Sequence, residues 1–419
     1  MTHPALRLVE STTGLPRVAY ARHHDSVTAV GQCVAGLGRG VRPALLLVFC
    51  GGKHNASAVA SAFRAAYGPV PIVGGSAVGG IGARQFGYSG MEIVVAAFED
   101  PSIVPQVHVT YDLQTGEAAA GAALAREIVA TGAAGAVVLL FFDSVAATSP
   151  LRLHPASALV EGFQAGLGGT PMTLIGGGLL TDMNLSDSWV FDGEAVCKHA
   201  AVALVFPPGI RASTVVLHGC WPVSTFLTIT SVEGAVVHEL DGEPALDVVE
   251  RMLGMRLEGD GAPDLSLVAT LGQKQGDPFA PYDENAYVNR LILSADRSAG
   301  SITLFEPDFA AGTRVQIMSR DNARMLESVH AGTAAIAASG AAASRAGRER
   351  FLALCIDCAG RASARSGAAV EDAELVLRNL GADIPVLGFY SGVEIAPFGR
   401  YSRPLDWTAV LTVLERERL

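Results

Sequence analysis

Continuous apolar runs punctuate the chain, and the material between them repeats. A unit opens on an apolar strand and continues through a loop and a helix-like stretch. It then reaches a proline with a short apolar strand ending in glycine, and closes on a further apolar strand. The first copy occupies residues 44–50, 56–67, 71–75 and 93–98. The second occupies 136–143, 155–167, 171–178 and 201–206, and the third 351–357, 370–380, 385–388 and 409–414. The proline follows the start of the opening strand by 27, 35 and 34 residues. Strand, helix and strand in that order predict a right-handed crossover with parallel strands, so both strands of a unit end at one sheet edge. Ligands of open α/β sheets favour that edge.

Between the second and third copies the pattern changes. Residues 213–218, 226–230 and 235–240 read as short strands, and 243–253 as a helix with Pro244 in its first turn. Strand-like segments return at 264–271, 287–293, 301–304 and 314–317, and 321–338 reads as a helix. Pro207, Pro208 and Gly209 interrupt any regular element and set a boundary between two domains, 1–207 and 210–419. The expected fold class is α/β (α+β): repeated strand–helix–strand units in a layered sandwich of mixed sheets, with helices on the outside.

Composition narrows the function classes. Half of the 419 residues are hydrophobic and 17% are charged, which excludes global disorder. Thirty basic against 41 acidic residues give a net charge of −11, unsuited to a nucleic-acid coat or a basic membrane-surface binder. The most apolar runs, 44–50 and 133–142, fall far short of the ~20 residues that span a bilayer, so no membrane insertion is expected. Residues 1–10 lack the features of a signal peptide. Six scattered cysteines are expected to stay reduced in a cytoplasm.

The predicted strand ends carry the candidate chemistry. They bring Cys50, Gly51, Gly52, Lys53 and His54 together with Ser76 in the first unit, and Asp143 with the glycines 176–178 in the second. In the third they bring Asp357, Cys358 and Arg361 together with Tyr390 and Ser391. Known phosphate-binding and dinucleotide-binding glycine patterns do not fit these loops, and Ser76 lacks the setting of a nucleophile elbow. Cys355 and Cys358 point to opposite faces of one strand, which disfavours a redox pair or half of a zinc site. The ten histidines show no metal-ligand spacing.

The third unit resembles a known family. Its signature elements are Asp-Cys-Ala-Gly-Arg at 357–361 and IPVLGFYSGVEIAP at 384–397. HGCWPV at 218–223, ELDGEPAL at 239–246 and YVNR at 287–290 belong with them. PIVGGS at 71–76, TLIGGG at 173–178 and WVFDG at 189–193 complete a resemblance to the FIST family, with its N-terminal and C-terminal domains, across about residues 40–415. Two departures touch the expected ligand edge: Val393 precedes Glu394 where the family usually has glycine, and no histidine precedes Asp406, Trp407 and Thr408.

The resemblance implies a bacterial, cytoplasmic sensory module for a small molecule, an amino acid or related metabolite. It implies signalling in trans to a separate histidine kinase, cyclic-dinucleotide enzyme or chemoreceptor. Arg290 and Arg361 are expected to hold a carboxylate, and Asp143 and Glu394 to meet an amine. Cys50, Ser76, Cys220, Cys358 and Tyr390 complete the expected ligand-binding set. Without ligand, Glu394 is expected to pair with Arg361. No catalytic or metal-binding set is assigned, and no cofactor is expected. Two alternatives stand beside this reading: a haem protein sensing nitric oxide, with His218, His54 or Cys220 on the iron, and an enzyme with Cys50, Cys358 or Cys220 as nucleophile.

Overall fold

The computed structural model describes residues 14–256, 265–399 and 401–418. Three copies of one sheet form the frame. In the first, strands Leu45–Gly51 and Ile72–Ala77 run parallel, Glu92–Phe98 pairs antiparallel with the former, and Arg17–Arg22 lies outside it. The second repeats this with Val137–Asp143, Thr173–Leu179, Ala201–Val205 and Gln106–Thr110. The third uses Arg348–Cys358, Val386–Ser391, Ala409–Glu417 and Arg211–Leu217. The opening strands of the first two units are buried along their whole length, as continuous apolar runs in a covered sheet must be.

Each unit is longer than its sequence pattern. A helix precedes the opening strand and a second joins the parallel pair. These are Ser26–Leu37 and Ala56–Tyr67, Glu117–Ala130 and Ala156–Gly166, then Asn322–Arg345 and Asp372–Leu380. Asp25, Asn55 and Asp321 cap three of these helices by accepting backbone N–H bonds, which fixes where each begins. The segments near 213–218 and 321–338, read from sequence as part of the middle region, are the leading strand and helix of the third unit.

What separates that strand from that helix is a closed antiparallel barrel. Its ring runs through Leu227–Glu233, Val236–Leu240, Ser301–Leu304, Tyr287–Asp296, Ala269–Lys274 and Arg314–Ser319, and back to the first strand. Helix Ala245–Leu253 packs against the same apolar cluster as Leu271, Ile292, Ile302 and Ile317. With period-2 alternation, the opposite faces of these strands point outward. Thr270, Asn289 and Leu291 lie on that outer face.

The three units are interlocked by a cyclic exchange of hairpins. The first unit sends Gly80–Gly82 and Gln85–Gly87 onto the edge of the third sheet. The second sends Val190–Gly193 and Val196–Cys197 onto the first sheet, and the third sends Val393–Phe398 and Tyr401–Leu405 onto the second. Each exchange caps a strand edge that would otherwise stay open.

Phe49, Phe141 and Phe389, one from each unit, meet in one cluster. Phe49 stacks on Phe389 at 4.1 Å between centroids, and Phe141 sits edge-on to both, at 5.1 and 5.8 Å. The glycines that flank this region serve packing. A Cβ on Gly176 would stand 1.8 Å from the Leu140 carbonyl oxygen, and Gly74 combines a φ of +109° with a Cβ position 2.3 Å from the Val48 oxygen. At Gly74 and Gly176, two of the strand-end glycines read as a ligand rim, the missing side chain lets neighbouring backbones approach.

Candidate functional site

A cleft of about 100 Å³ lies where the third unit, the barrel and the second unit meet. The ends of two parallel strands form its floor, with Cys358 opposite Ser391 in register. Leu180, Met183 and Leu185, which follow the second unit's strand Thr173–Leu179, form one wall. Leu291, Leu293 and Phe305 of the barrel form another. Trp407 closes the inner end, packed on Gly360, where a Cβ would stand 2.6 Å from its ring. Gly392 gives Leu180 the same allowance, with a Cβ position 2.7 Å away.

Trp407 has a φ of +56°, a left-handed conformation that a bulky side chain adopts only when its surroundings impose it. The guanidinium of Arg320 lies 3.2 Å over its ring. The flanking residues are anchored too. Asp406 accepts the Leu291 N–H at 3.0 Å, Cys358 donates its N–H to the Thr408 carbonyl at 3.0 Å, and Thr408 donates its N–H to Glu394 at 3.3 Å. The strained turn thus ties barrel to third unit at the inner end of the cleft.

Cys358 is the member of the expected ligand set that lines this cleft. Burial, then Glu394, pushes its thiol well above the ordinary range, outweighing the backbone groups of Gly360 and Trp407 that favour the thiolate. A thiol held protonated is a poor nucleophile. Burial pushes the Cys50 thiol up as well, and raises that of Cys220 to about 11. Burial dominates in all three: even at Cys220, where Arg320 and Arg361 favour the thiolate, the thiol is held protonated.

The other expected residues are committed elsewhere. Ser76 bonds both the N–H and the carbonyl of Trp189, clasping the exchanged hairpin to the first sheet. Asp143 accepts from the Ser188 hydroxyl and from the His199 N–H. Tyr390 donates to Glu371 at 2.8 Å. Arg290 holds Asp308 through two bonds of 2.6 Å and donates to the Asn289 and Pro404 carbonyls. Arg361 holds Asp372, lies 3.2 Å from Asp357 and reaches the His218 carbonyl. The expected Arg361–Glu394 pair does not form: Glu394 instead accepts from the Ser391 hydroxyl, and burial raises its pKa well above the usual range. Both arginines are fully buried, so neither is placed to meet a carboxylate arriving in the cleft.

The residues considered for haem do not fit it. His218 accepts the Cys220 N–H at Nδ1 and bonds the Glu284 carbonyl through Nε2. Both ring nitrogens of His54 are engaged likewise, by Ser26 and the Met91 carbonyl. Cys220 is buried against Tyr287, Met318 and Trp407. Among the described residues no His, Cys, Asp or Glu cluster has metal-binding geometry.

Of the residues that line this cleft, Cys358, Gly360, Ser391 and Gly392 stand in segments singled out from the sequence, whereas the apolar walls do not. Leu180, Met183, Leu293 and Phe305 carry no chemical signature. The signal for Trp407 lay in its position within a departure from the family pattern.

The chain matches the FIST N domain over residues 44–243 and the FIST C domain over residues 245–397. An uncharacterized protein of Mycobacterium tuberculosis is 28% identical over 297 residues, spanning 68% of this chain and 73% of that relative. One of Mycobacterium bovis is 28% identical over 295 residues, spanning 68% and 72%. Among solved structures, a cyanuric acid hydrolase from A. caulinodans aligns over 97% of this chain and all of its own, with 10% identity and a TM-score of 0.34. At that level no property of the hydrolase carries over. With both matched domains spanning most of its length, the chain belongs to the FIST family, whose domains are generally signal-transduction sensory domains.

Proposed function

We propose that this protein is a cytoplasmic small-molecule sensor that signals in trans, with the Cys358–Trp407 cleft as its ligand site. The observation that carries the reading is the cleft's position. Its walls come from the second unit, the third unit and the barrel, so an occupant touches three bodies at once. Small-molecule sites favour such junctions and apolar linings with few polar groups. A ligand that prefers one arrangement of barrel against frame shifts the population toward it, and about 1.4 kcal/mol of preference shifts it tenfold. The output partner in this reading is a histidine kinase, a cyclic-dinucleotide enzyme or a chemoreceptor. Among the described residues no helix is long and apolar enough to cross a membrane.

A thermal-shift screen tests the site. The panel holds short aliphatic and aromatic acids, alcohols, amides and amino acids, run against wild type and Leu293→Trp. Leu293 is 40% exposed and lines the cleft, so the larger ring fills it without disturbing the core. Binding to the native state raises the unfolding temperature. Hits on wild type that vanish in Leu293→Trp are expected. Hits that survive the substitution unchanged contradict the assignment.

A further inference from the structure

We propose that a face built around Trp221, Val223 and Phe279 joins two copies of this chain about a two-fold axis. It is independent of the ligand cleft and stands or falls without it.

Exposed apolar side chains gather on this face. Trp221 is 39% exposed, Val223 41% and Phe279 91%. Trp221 and Pro222 pair with Ser319 and Met318 at the edge of the barrel sheet, and the Val223 N–H continues the ladder to the Ile317 carbonyl at 2.9 Å. Alternation along an extended strand puts Trp221 and Val223 on one side. The Tyr282 ring packs on Trp221 at 4.4 Å between centroids. Phe279 precedes Tyr282 by three residues, so their Cα atoms lie within about 11 Å of each other. Exposed apolar residues scattered singly need no explanation, whereas neighbours gathered on one face mark a contact surface.

The loop that carries Phe279 is held in shape while the ring is left bare. The Lys274 ammonium donates to the Pro278 and Pro281 carbonyls at 3.3 and 3.5 Å and to that of Ala280. Asp277 accepts the Phe279 N–H at 2.9 Å, and the Gln275 N–H closes the base of the loop on the Ala286 carbonyl at 2.8 Å. Pro278 and Pro281 fix two further φ angles. A backbone already ordered makes docking of the ring cost little further entropy.

The charges select the occupant. Arg324 is exposed, with its guanidinium 4.6 Å over the Trp221 ring. Asp277 and Asp283 are exposed on the loop that carries Phe279 and Tyr282. An apolar centre flanked by both signs is complementary to itself, because a two-fold axis sets the basic side of one copy against the acidic side of the other. The net charge of −11 opposes association through an acidic face, and Arg324 offsets it locally.

Sedimentation velocity of the intact protein across a dilution series tests this on wild type, Phe279→Ser and Arg324→Glu. Wild type is expected to sediment as a dimer that dissociates on dilution. Phe279→Ser is expected to weaken the dimer by about tenfold or more, because a two-fold contact loses the ring twice. Arg324→Glu is expected to weaken it too, by facing like charges in the second copy. Both positions are exposed, so the circular dichroism of each variant is expected to match wild type. Wild type that stays monomeric at every concentration overturns the proposal and leaves the face to a protein of another kind. A dimer indifferent to Phe279→Ser associates through a different surface and overturns it as well. A dimer weakened by Phe279→Ser but not by Arg324→Glu overturns the two-fold pairing, as does assembly beyond the dimer.

Discussion

Arg361 lies between Asp357 and Asp372 with no exposure to speak of, and its remaining donors reach main-chain carbonyls. Removing one partner of a buried ion pair leaves an uncompensated charge and costs about 3–5 kcal/mol. Arg361→Ala is therefore expected to lower the urea midpoint sharply, with any loss of binding following from that. A stable Arg361→Ala protein that fails only to bind would return this side chain to the ligand site. Asp406 makes a second residue-scale prediction. Burial raises its pKa to about 7, from an ordinary value near 3.8. Its native form binds a proton across that window and its unfolded form does not, so its contribution is fully present below pH 4 and is lost as pH rises toward 7. The slope is up to about 1.4 kcal/mol per pH unit. Unfolding free energies at pH 5 and pH 7.5 should differ less in Asp406→Asn than in wild type; an equal difference contradicts the assignment. The chemical types at the strand ends were legible in the sequence, because strand ends are found from apolar runs. Their partners were not. Arg361 meets Asp372 across a loop, and Arg290 meets Asp308 across a barrel hairpin, and no periodicity encodes either pairing.

Strands Leu45–Gly51 and Val137–Asp143, and the part of Arg348–Cys358 from Phe351 onward, were readable because burial on both faces leaves a largely apolar run. Arg17–Arg22 and Gln106–Thr110 escaped notice because they are partly exposed edge strands with mixed patterns. The exchanged hairpins were invisible for another reason: Gly80–Gly82 and Val196–Cys197 are too short to show alternation, and their sheets lie in other units. Glycine placement is the element-scale consequence. In strand Thr173–Leu179, any side chain at Gly176 meets the Leu140 backbone, which cannot yield as a side chain can. Gly176→Ala is expected to destabilise by about 1–3 kcal/mol, read from chemical denaturation. A neutral outcome would mean that these sheets pack less closely than described.

At the scale of the molecule, the hairpin exchange makes each sheet depend on another unit. The second sheet needs Val393–Phe398 and Tyr401–Leu405, and the third needs Gly80–Gly82 and Gln85–Gly87. We propose the break at 207–209 as the covalent boundary between frame units, without independence of folding on either side. Residues 1–207 produced alone are expected to lack native near-ultraviolet circular dichroism and to regain it when mixed with residues 210–419. A fragment 1–207 that unfolds cooperatively by itself contradicts the interlock. The central claim, that ligand enters between barrel and frame, is tested most directly by methyl NMR of protein labelled at methionine and titrated with a compound that raises its unfolding temperature. Met183 lines the cleft, and Met172 lies outside its lining. A saturable shift of the Met183 resonance is expected, with Met172 unmoved. Saturable binding that leaves Met183 in place while resonances remote from the cleft shift would contradict it.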